Sequence, residues 1–206
     1  MDTFETGNSG QFSEELRDKL SGILNQQLAD TVDLRLQVRQ GYWNLRGRYA
    51  PELRLLFDGL ARELRQFIDL IADRICVFGG CATASVRIAA QRSSLRNYPA
   101  DALEAHDHVE ALLSSYSKYE VGALKATKDI EELRDFQTVG LLLEICNAVE
   151  KNLWFLEAYL EAIAVGSTGG RLPRWTSAFE DPRQRSNHFA GPAGVQTPGI
   201  GGGGRH

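Results

Sequence analysis

The chain has 206 residues, of which 43% are apolar and 24% are charged. These values are ordinary for a globular protein that needs neither disulfides nor a structural metal for its stability. The net charge of −4 is uneven, because five arginines against two carboxylates give residues 166–206 a charge of +3 and leave residues 1–165 at −7. This distribution excludes a strongly basic main domain.

Cysteine usage and the first residues indicate the compartment. Cys76, Cys81 and Cys146 form no closely spaced pair and leave an odd thiol. We therefore expect a reducing environment and thiols buried as small apolar groups. The first residues contain no basic segment followed by an apolar stretch, and no apolar run is long enough to span a bilayer. We expect a cytoplasmic protein without a membrane partner.

The N-terminal half predicts two long helices. Between Ser13 and Gln40, apolar residues recur every three or four positions, at Leu16, Leu20, Ile23, Leu24, Leu28, Val32 and Leu36. This spacing predicts a helix with Ser13 as its N-cap. The next segment has Leu53, Phe57, Leu60, Leu64, Phe67, Ile71, Ile75 and Phe78. It predicts a helix with Pro51 in its first turn and Gly79-Gly80 at its end.

The C-terminal half predicts a crossover and two more helices. Residues 81–96 suit a short connecting helix, which Asn97-Tyr98-Pro99 ends. A third helix is expected over residues 101–128 and a fourth over residues 130–165. Nothing has the alternation of a strand. The sequence therefore predicts an all-α, antiparallel four-helix bundle over residues 13–165, with a short helix in its long crossover.

Both ends of the chain are expected to lie outside this domain. Residues 1–12 are predicted to form a flexible arm. Residues 166–206 hold ten of the twenty glycines and four of the six prolines. Such a composition cannot bury enough surface to offset the entropy of ordering, so we expect a disordered, arginine-containing tail.

Three carboxylates of the second helix, Asp58, Asp69 and Asp73, share one stripe beside the apolar seam. Carboxylates that project from facing helices of a bundle can assemble di-iron sites. Oppositely charged residues four apart favour a plain solvated face instead. The pairs are Arg54 with Asp58, Asp58 with Arg62, and Arg65 with Asp69. Spacing alone favours the solvated face.

A series of local strings changes that balance. They are Gln40-Gly41-Tyr42-Trp43-Asn44-Leu45-Arg46-Gly47, Leu55-Leu56-Phe57-Asp58, Asp69-Leu70-Ile71-Ala72-Asp73-Arg74, Tyr98-Pro99 and Glu150-Lys151-Asn152-Leu153-Trp154-Phe155-Leu156. In their order and spacing, over about residues 20–163, they resemble the Dps family of miniferritins. The resemblance implies a ferritin-like bundle and a hollow dodecameric shell. Such a shell oxidises ferrous iron, commonly with hydrogen peroxide, stores the ferric mineral and shields DNA.

The resemblance also places an iron site between two subunits, and here the chain departs from the family. The two family histidines fall on Tyr42 and Arg54, while the following aspartate is kept as Asp58. Asp69 matches the aspartate contributed by the second subunit, and Asp73 stands where a glutamate is expected. The resemblance thus implies Asp58, Asp69 and Asp73 as catalytic and metal-binding residues. Losing both imidazoles and shortening one carboxylate should weaken iron binding and ferroxidase activity.

Two of the replacements suggest specific roles. A guanidinium cannot ligate a metal but pairs bidentately with carboxylates, so Arg54 is expected to take the iron position and to form a salt bridge with Asp69 and Asp73 across the interface. The Tyr42 phenolate can bind ferric iron, yet a tyrosine beside Trp43 is more simply explained by packing. A different metal, such as manganese or zinc, remains an alternative.

Other polar residues yield weaker hypotheses. His106 and His108 lie off the carboxylate stripe and are expected at the surface. The carboxylates Asp129, Glu131, Glu132 and Asp135 either line a cation pore of the shell or belong to a solvated helix start.

The expected function is iron sequestration and oxidative-stress protection by a homo-oligomeric shell with an impaired oxidation site. Slow iron uptake at other interior carboxylates is part of this expectation. The alternative is a non-enzymatic architectural or DNA-associated shell that co-assembles with an active homologue. Weak, non-specific DNA binding would then use the arginines of the tail, in the cytoplasm or at the nucleoid.

Overall fold

Five helices account for most of the residues that the computed structural model describes, which are residues 13–165. They are α1 (Glu14–Asn44), α2 (Ala50–Val77), α3 (Val86–Arg92), α4 (Ala105–Glu132) and α5 (Phe136–Ala164). No strand occurs in this part of the chain, as predicted. Within it, no helix has the length and apolar character that crossing a membrane requires. The predicted arm of residues 1–12 and the tail of residues 166–206, with His188 and His206, lie outside the described residues.

Four of the helices form an antiparallel bundle. Helix α1 packs against α2 and α4, and α5 packs against α4 and α2. Thr31 and Tyr119 are joined by a hydrogen bond of 2.8 Å, and Ser115 donates to Gln37 at 2.7 Å. Residue numbers therefore rise along α1 as they fall along α4. The predicted bundle, with its short helix in the crossover, is confirmed.

Helix α2 follows its sequence pattern closely. All eight of its predicted core residues are buried, and Pro51 lies in the first turn. At the other end, Gly79 has a φ of +76°, and its N–H donates to the Cys76 carbonyl at 2.9 Å. The Gly80 N–H donates to the Ile75 carbonyl at 3.1 Å. These two bonds satisfy carbonyls that the helix end would otherwise leave unpaired.

The boundaries of α4 and α5 differ from those predicted. Helix α4 begins at Ala105, because the Glu104 side chain and Asp107 form a reciprocal capping box. Helix α5 begins at Phe136 rather than near residue 130, because Arg134 adopts a left-handed φ of 60° and Asp135 caps the new helix. Periodicity alone does not detect such a break, because both sides of the turn are helical.

The crossover is fixed to α1 by polar side chains. Asn25 donates to the Cys81 carbonyl at 3.0 Å, and the Asp30 carboxylate accepts from the Ser94 N–H at 2.6 Å. Gln37 donates to the carbonyl of Arg96 at 2.9 Å. These bonds turn one face of α1 toward the crossover.

The buried apolar face of α1 therefore differs from the predicted one. Leu34 and Val38 are buried, whereas the predicted core residue Leu36 is 38% exposed. The cysteine prediction is also corrected in part. Cys146 is buried as expected, but Cys76 and Cys81 are exposed.

Candidate metal site at the α1–α2 corner

The predicted site residues of one chain meet where α1 ends and α2 begins. Tyr42 and Trp43 lie in the last turn of α1, and Arg54 and Asp58 lie in the second and third turns of α2. A short turn joins the two antiparallel helices, so the last residues of α1 face the first residues of α2. Tyr42 packs against the core, which supports its interpretation as a packing residue, while Trp43 is 62% exposed.

Asp58, the carboxylate predicted as a metal ligand, is occupied by two arginines. Its Oδ1 accepts a hydrogen bond from Arg39 Nη1 at 3.3 Å, and its Oδ2 forms an ion pair with Arg62 Nε at 3.2 Å. The Arg62 ion pair is one of the pairs that a solvated face predicts. Because each carboxylate oxygen already faces a cation, a metal ion at this position would have to displace the arginines.

Arg54 does not pair with Asp58. Its Nη2 donates to the Leu45 carbonyl at 3.2 Å, and its guanidinium carbon lies 5.9 Å from the centre of the Tyr42 ring. The Arg39 guanidinium lies over the same ring at 4.5 Å. Two cations therefore contact the Tyr42 ring, and such contacts are favourable when the ring face meets the charge.

Arg39 and Arg35 were not singled out from the sequence. Both are on α1, one turn apart, and the Arg35 Nε donates to the Ala61 carbonyl on α2 at 3.3 Å. Their position one and two turns before Tyr42 was a usable signal, because residues four apart on a helix share a face. Sequence reasoning missed these two arginines because the stripe of charged residues was sought within α2 alone.

Asp69 and Asp73 do not join Asp58 in one chain. Eleven residues of helix separate Asp58 from Asp69, which is about 16 Å along the axis. Both later aspartates are exposed, and neither forms an ion pair within residues 13–165. The predicted pair of Arg65 with Asp69 is likewise not formed there. No group of three metal-binding side chains comes together in this part of the chain. A metal site that uses all three aspartates therefore needs a second copy of the chain.

The carboxylates of the α4–α5 turn divide into two kinds. Asp135 is buried and pairs with Arg74 at 2.8 Å, so it is not an exposed pore carboxylate. Asp129 pairs with Lys125 at 2.5 Å. Glu131 and Glu132 are exposed. The pore hypothesis therefore applies only to Asp129, Glu131 and Glu132.

His108 is buried, which contradicts the prediction of a surface histidine. Its Nδ1 lies 2.7 Å from the Tyr98 hydroxyl, and burial lowers the pKa of the imidazole although the Asn44 carbonyl and Asp107 oppose this shift. Burial raises the pKa of Tyr98 as well. The hydrogen bond between the Tyr98 hydroxyl and His108 Nδ1 ties the crossover to α4 beside the end of α1.

Comparisons with known proteins agree with this architecture. The model of the ferritin-like domain matches residues 22–164. A DNA protection during starvation protein of Agrobacterium fabrum is 32% identical over 161 residues, which cover 78% of this chain and 98% of the relative. DNA protection during starvation protein 2 of Bacillus anthracis is 31% identical over 138 residues, covering 67% and 94%.

Solved structures show the same fold. DpsC from Streptomyces coelicolor superposes with a TM-score of 0.70 at 25% identity, covering 80% of this chain and 92% of that one. Dps of Mycobacterium smegmatis gives 0.70 at 24% identity, covering 80% and 97%. The domain is thus ferritin-like. The chain belongs to the Dps family, the DNA protection during starvation proteins.

Proposed function

We propose that this chain assembles into a homo-oligomeric, Dps-type shell that sequesters iron and limits oxidative damage. Family membership supports iron as the substrate and DNA protection as the wider role. The proposed oxidation site combines Asp58 of one subunit with Asp69 and Asp73 of another, and it is weak because Tyr42 and Arg54 stand where the family has imidazoles. The expected assembly is a dodecamer.

Exposed apolar side chains support assembly. Trp43, Leu55, Phe136 and Trp154 are 62%, 75%, 68% and 59% exposed in the single chain. Large apolar residues at such exposure mark surfaces that a partner covers. The separation of Asp58 from Asp69 along α2 points the same way, because a site built from both needs two copies.

The proposal of an impaired site is supported by one observation, the pairing of Asp58 with arginines. Both of its oxygens form ion pairs with arginines, Arg39 and Arg62, in the single chain. Arg54 is a third cation nearby, and one of its N–H groups donates to the Leu45 carbonyl. The rest of its fork is available to pair with Asp69 and Asp73 of a second copy. Iron uptake is then slow and uses other interior carboxylates.

Oxidation of ferrous iron tests the proposal. The size-checked assembly is given ferrous iron with oxygen or with hydrogen peroxide, and the iron retained per shell is measured. We expect little acceleration over buffer for the natural sequence. The double change Tyr42→His and Arg54→His should raise the rate, because it restores both nitrogen donors. Arg54→Gln is the matched control, since it removes the charge without supplying a ligand of that kind.

Two results would contradict this proposal. Rapid oxidation by the unchanged protein would show that the arginines do not impair the site. An intact double-histidine shell that stays inert would show that more than two ligands separate this chain from an active ferroxidase.

The salt bridges of Asp58 also favour a second candidate, a non-enzymatic architectural or DNA-associated shell that co-assembles with an active homologue. In that case Arg54 acts as an interface cross-link in place of a metal. Weak DNA binding would use the arginines of residues 166–206. A gel-shift assay at low salt should then show binding that is lost when the chain ends at residue 165 and that falls steeply with added salt.

A further inference from the structure

A groove of about 480 Å³ opens between α1, α4 and the crossover. We call it the α1–α4 groove. Its volume lies within the range of pockets that hold small molecules, about 300 to 1,000 Å³. The lining residues that bear on its chemistry come from both helices, and they are Gly22, Ile23, Gln27, Lys118, Val121 and Gly122.

The groove lies apart from the proposed iron site. Helix α4 packs against α1 and α5, and α2 packs against the same two helices. Helices α2 and α4 are therefore diagonal in the bundle. The three aspartates of α2 that the proposed oxidation site uses do not line the groove. Pairing of two copies through those aspartates therefore does not require the groove to be covered.

Two glycines leave the middle of the groove open. A Cβ on Gly22 would meet no heavy atom within 4 Å, and a Cβ on Gly122 would meet only the Oε1 atom of Gln27, at 4.0 Å. Ile23 and Val121 add apolar side chains to the lining, and Val121 is 60% exposed. The apolar part of a ligand therefore has space between the two helices and gains from burying this surface.

The amide of Gln27 contains a buried donor without an acceptor. Gln27 is only 2% exposed, and its Nε2 has no hydrogen-bond partner within residues 13–165. The nearby Tyr119 hydroxyl is bonded to Thr31 at 2.8 Å, and burial raises its pKa to about 12 although Thr31 and Gln27 oppose this shift. A buried donor that has lost water and gained no partner is unfavourable. Because Gln27 lines the groove beside Gly122, an oxygen atom of a ligand would supply the missing acceptor.

Lys118 is the charged lining residue that remains available to a ligand. It is exposed and forms no ion pair in the described part of the chain. Lys125 pairs with Asp129 at 2.5 Å, and the buried Asp30 carboxylate accepts from the Ser94 N–H at 2.6 Å. These four formal charges balance, so the available group selects the ligand and not a net field. An exposed ammonium favours a carboxylate.

We propose that the α1–α4 groove binds a small amphipathic monocarboxylate. Its carboxylate lies within reach of Gln27 and Lys118, and its apolar chain runs toward Gly22. Lys118 precedes Gly122 by one helical turn, so both are on the same face of α4. The amide contributes a buried hydrogen bond, and the ammonium contributes an exposed ion pair. This inference goes beyond the proposed iron function and does not depend on it.

The test is calorimetric titration of the full-length, size-checked assembly with octanoate, with ligand-observed NMR as a second readout. Two compounds of the same chain length, 1-octanol and octylamine, test the end group. We expect saturable binding of octanoate. We expect weaker binding of 1-octanol, which accepts from Gln27 but carries no charge for Lys118. Octylamine should not bind measurably, because its ammonium offers no acceptor and is repelled by Lys118.

Gly22→Leu tests the position of the apolar chain. The new side chain would occupy the open space on the floor of the groove, so octanoate affinity should fall about tenfold or more. Gly140→Leu is the matched control. Gly140 is an exposed glycine of α5, and a Cβ there also meets no heavy atom within 4 Å, but it lies outside the groove. This control should leave the affinity unchanged.

Two further variants test the polar contacts, and they keep the proposal falsifiable if Gly22→Leu does not assemble. Lys118→Gln should weaken octanoate about threefold to fivefold and leave 1-octanol unchanged, because it removes only the exposed ion pair. Gln27→Met keeps an unbranched stem and removes the amide. It should weaken both compounds about threefold or more, because both accept from that amide.

Three results would overturn the carboxylate site. They are the absence of saturable octanoate binding, binding of octylamine as tight as that of octanoate, and equal weakening by Gly22→Leu and Gly140→Leu. None of these titrations contains iron. A failure of the iron proposal therefore leaves their outcome unaffected, and a failure of the carboxylate site leaves the iron proposal intact.

Discussion

The ion pair between Arg74 and Asp135 should be the most costly polar contact to break at the end of the bundle. Arg74, near the end of α2, donates from Nη2 to both carboxylate oxygens of Asp135, at 2.8 and 3.1 Å. It also donates to Thr138 at 2.6 Å and to Gln137 at 3.1 Å, and it lies over the Phe78 ring at 4.6 Å. The side chains of the pair are only 14% and 4% exposed.

Arg74→Met keeps an unbranched apolar stem and removes every one of these donors. It leaves the Asp135 carboxylate buried without its cation, which typically costs about 3 to 5 kcal/mol. For a domain of this size, that loss lowers the melting temperature by roughly 6 to 20 °C. The assay is thermal unfolding of the assembled protein at one fixed concentration, because assembly itself contributes to stability.

Lys125→Met is the matched control. Lys125 and Asp129 form a shorter ion pair, 2.5 Å, but the lysine side chain is 75% exposed. Exposed pairs contribute less than about 1 kcal/mol, so this change should barely move the melting temperature. If both variants lose the same stability, burial does not determine the strength of these pairs and the reasoning is refuted.

Two further predictions concern the contact of Tyr98 with His108. Gly41→Ala would place a Cβ 2.8 Å from the Tyr98 hydroxyl and 3.1 Å from the Phe57 ring, so it should cost about 1 to 3 kcal/mol in a chemical unfolding experiment; an unchanged midpoint would contradict it. The lowered pKa of His108 means that the folded state favours the neutral imidazole. The associated stability is present above the ordinary pKa of about 6.5 and is lost as the pH falls toward the folded value. The melting temperature should therefore drop between about pH 7 and about pH 5, and His108→Gln should show a smaller drop.

The bundle could be predicted from the sequence because apolar spacing determines which helix faces meet. In α2 the seam from Leu53 to Phe78 has one continuous apolar face, and every predicted core residue is buried. The two glycines after it are a clear stop signal, because Gly79 adopts a φ of +76°, which only glycine reaches without strain.

Helix α1 shows why the same method failed in part. Its side chains serve two different neighbours, the bundle core and the crossover. Asn25, Asp30 and Gln37 are buried because they bind backbone groups of the crossover, and a hydropathy pattern assigns such residues to the surface. Their burial depends on a segment about sixty residues later in the chain. Local periodicity contains no information about that contact.

The positions of the candidate site residues could be predicted from the sequence, but their ion pairs and hydrogen bonds could not. Tyr42, Arg54 and Asp58 meet at one corner as the resemblance implies, because the turn between the two helices is short. The pairing of Asp58 with Arg39 crosses between helices and could not be inferred from a comparison within α2. His108 was misplaced for a similar reason, since its partner Tyr98 lies in the crossover.

Two features bear on iron binding at the proposed site. One is the absence of the two histidines, and the other is the pairing of Asp58 with two arginines. Replacing Tyr42 and Arg54 with histidine supplies nitrogen donors, but Asp58 stays bound to Arg39 and Arg62 until a metal displaces them. A divalent ion attracts the carboxylate more strongly than either arginine does, whereas the positive charges of Arg39 and Arg62 repel that ion. The rate gained by the double change therefore measures the balance of these two effects. Under the proposed function, the arginines around Asp58 should therefore affect iron oxidation as much as the two absent imidazoles do.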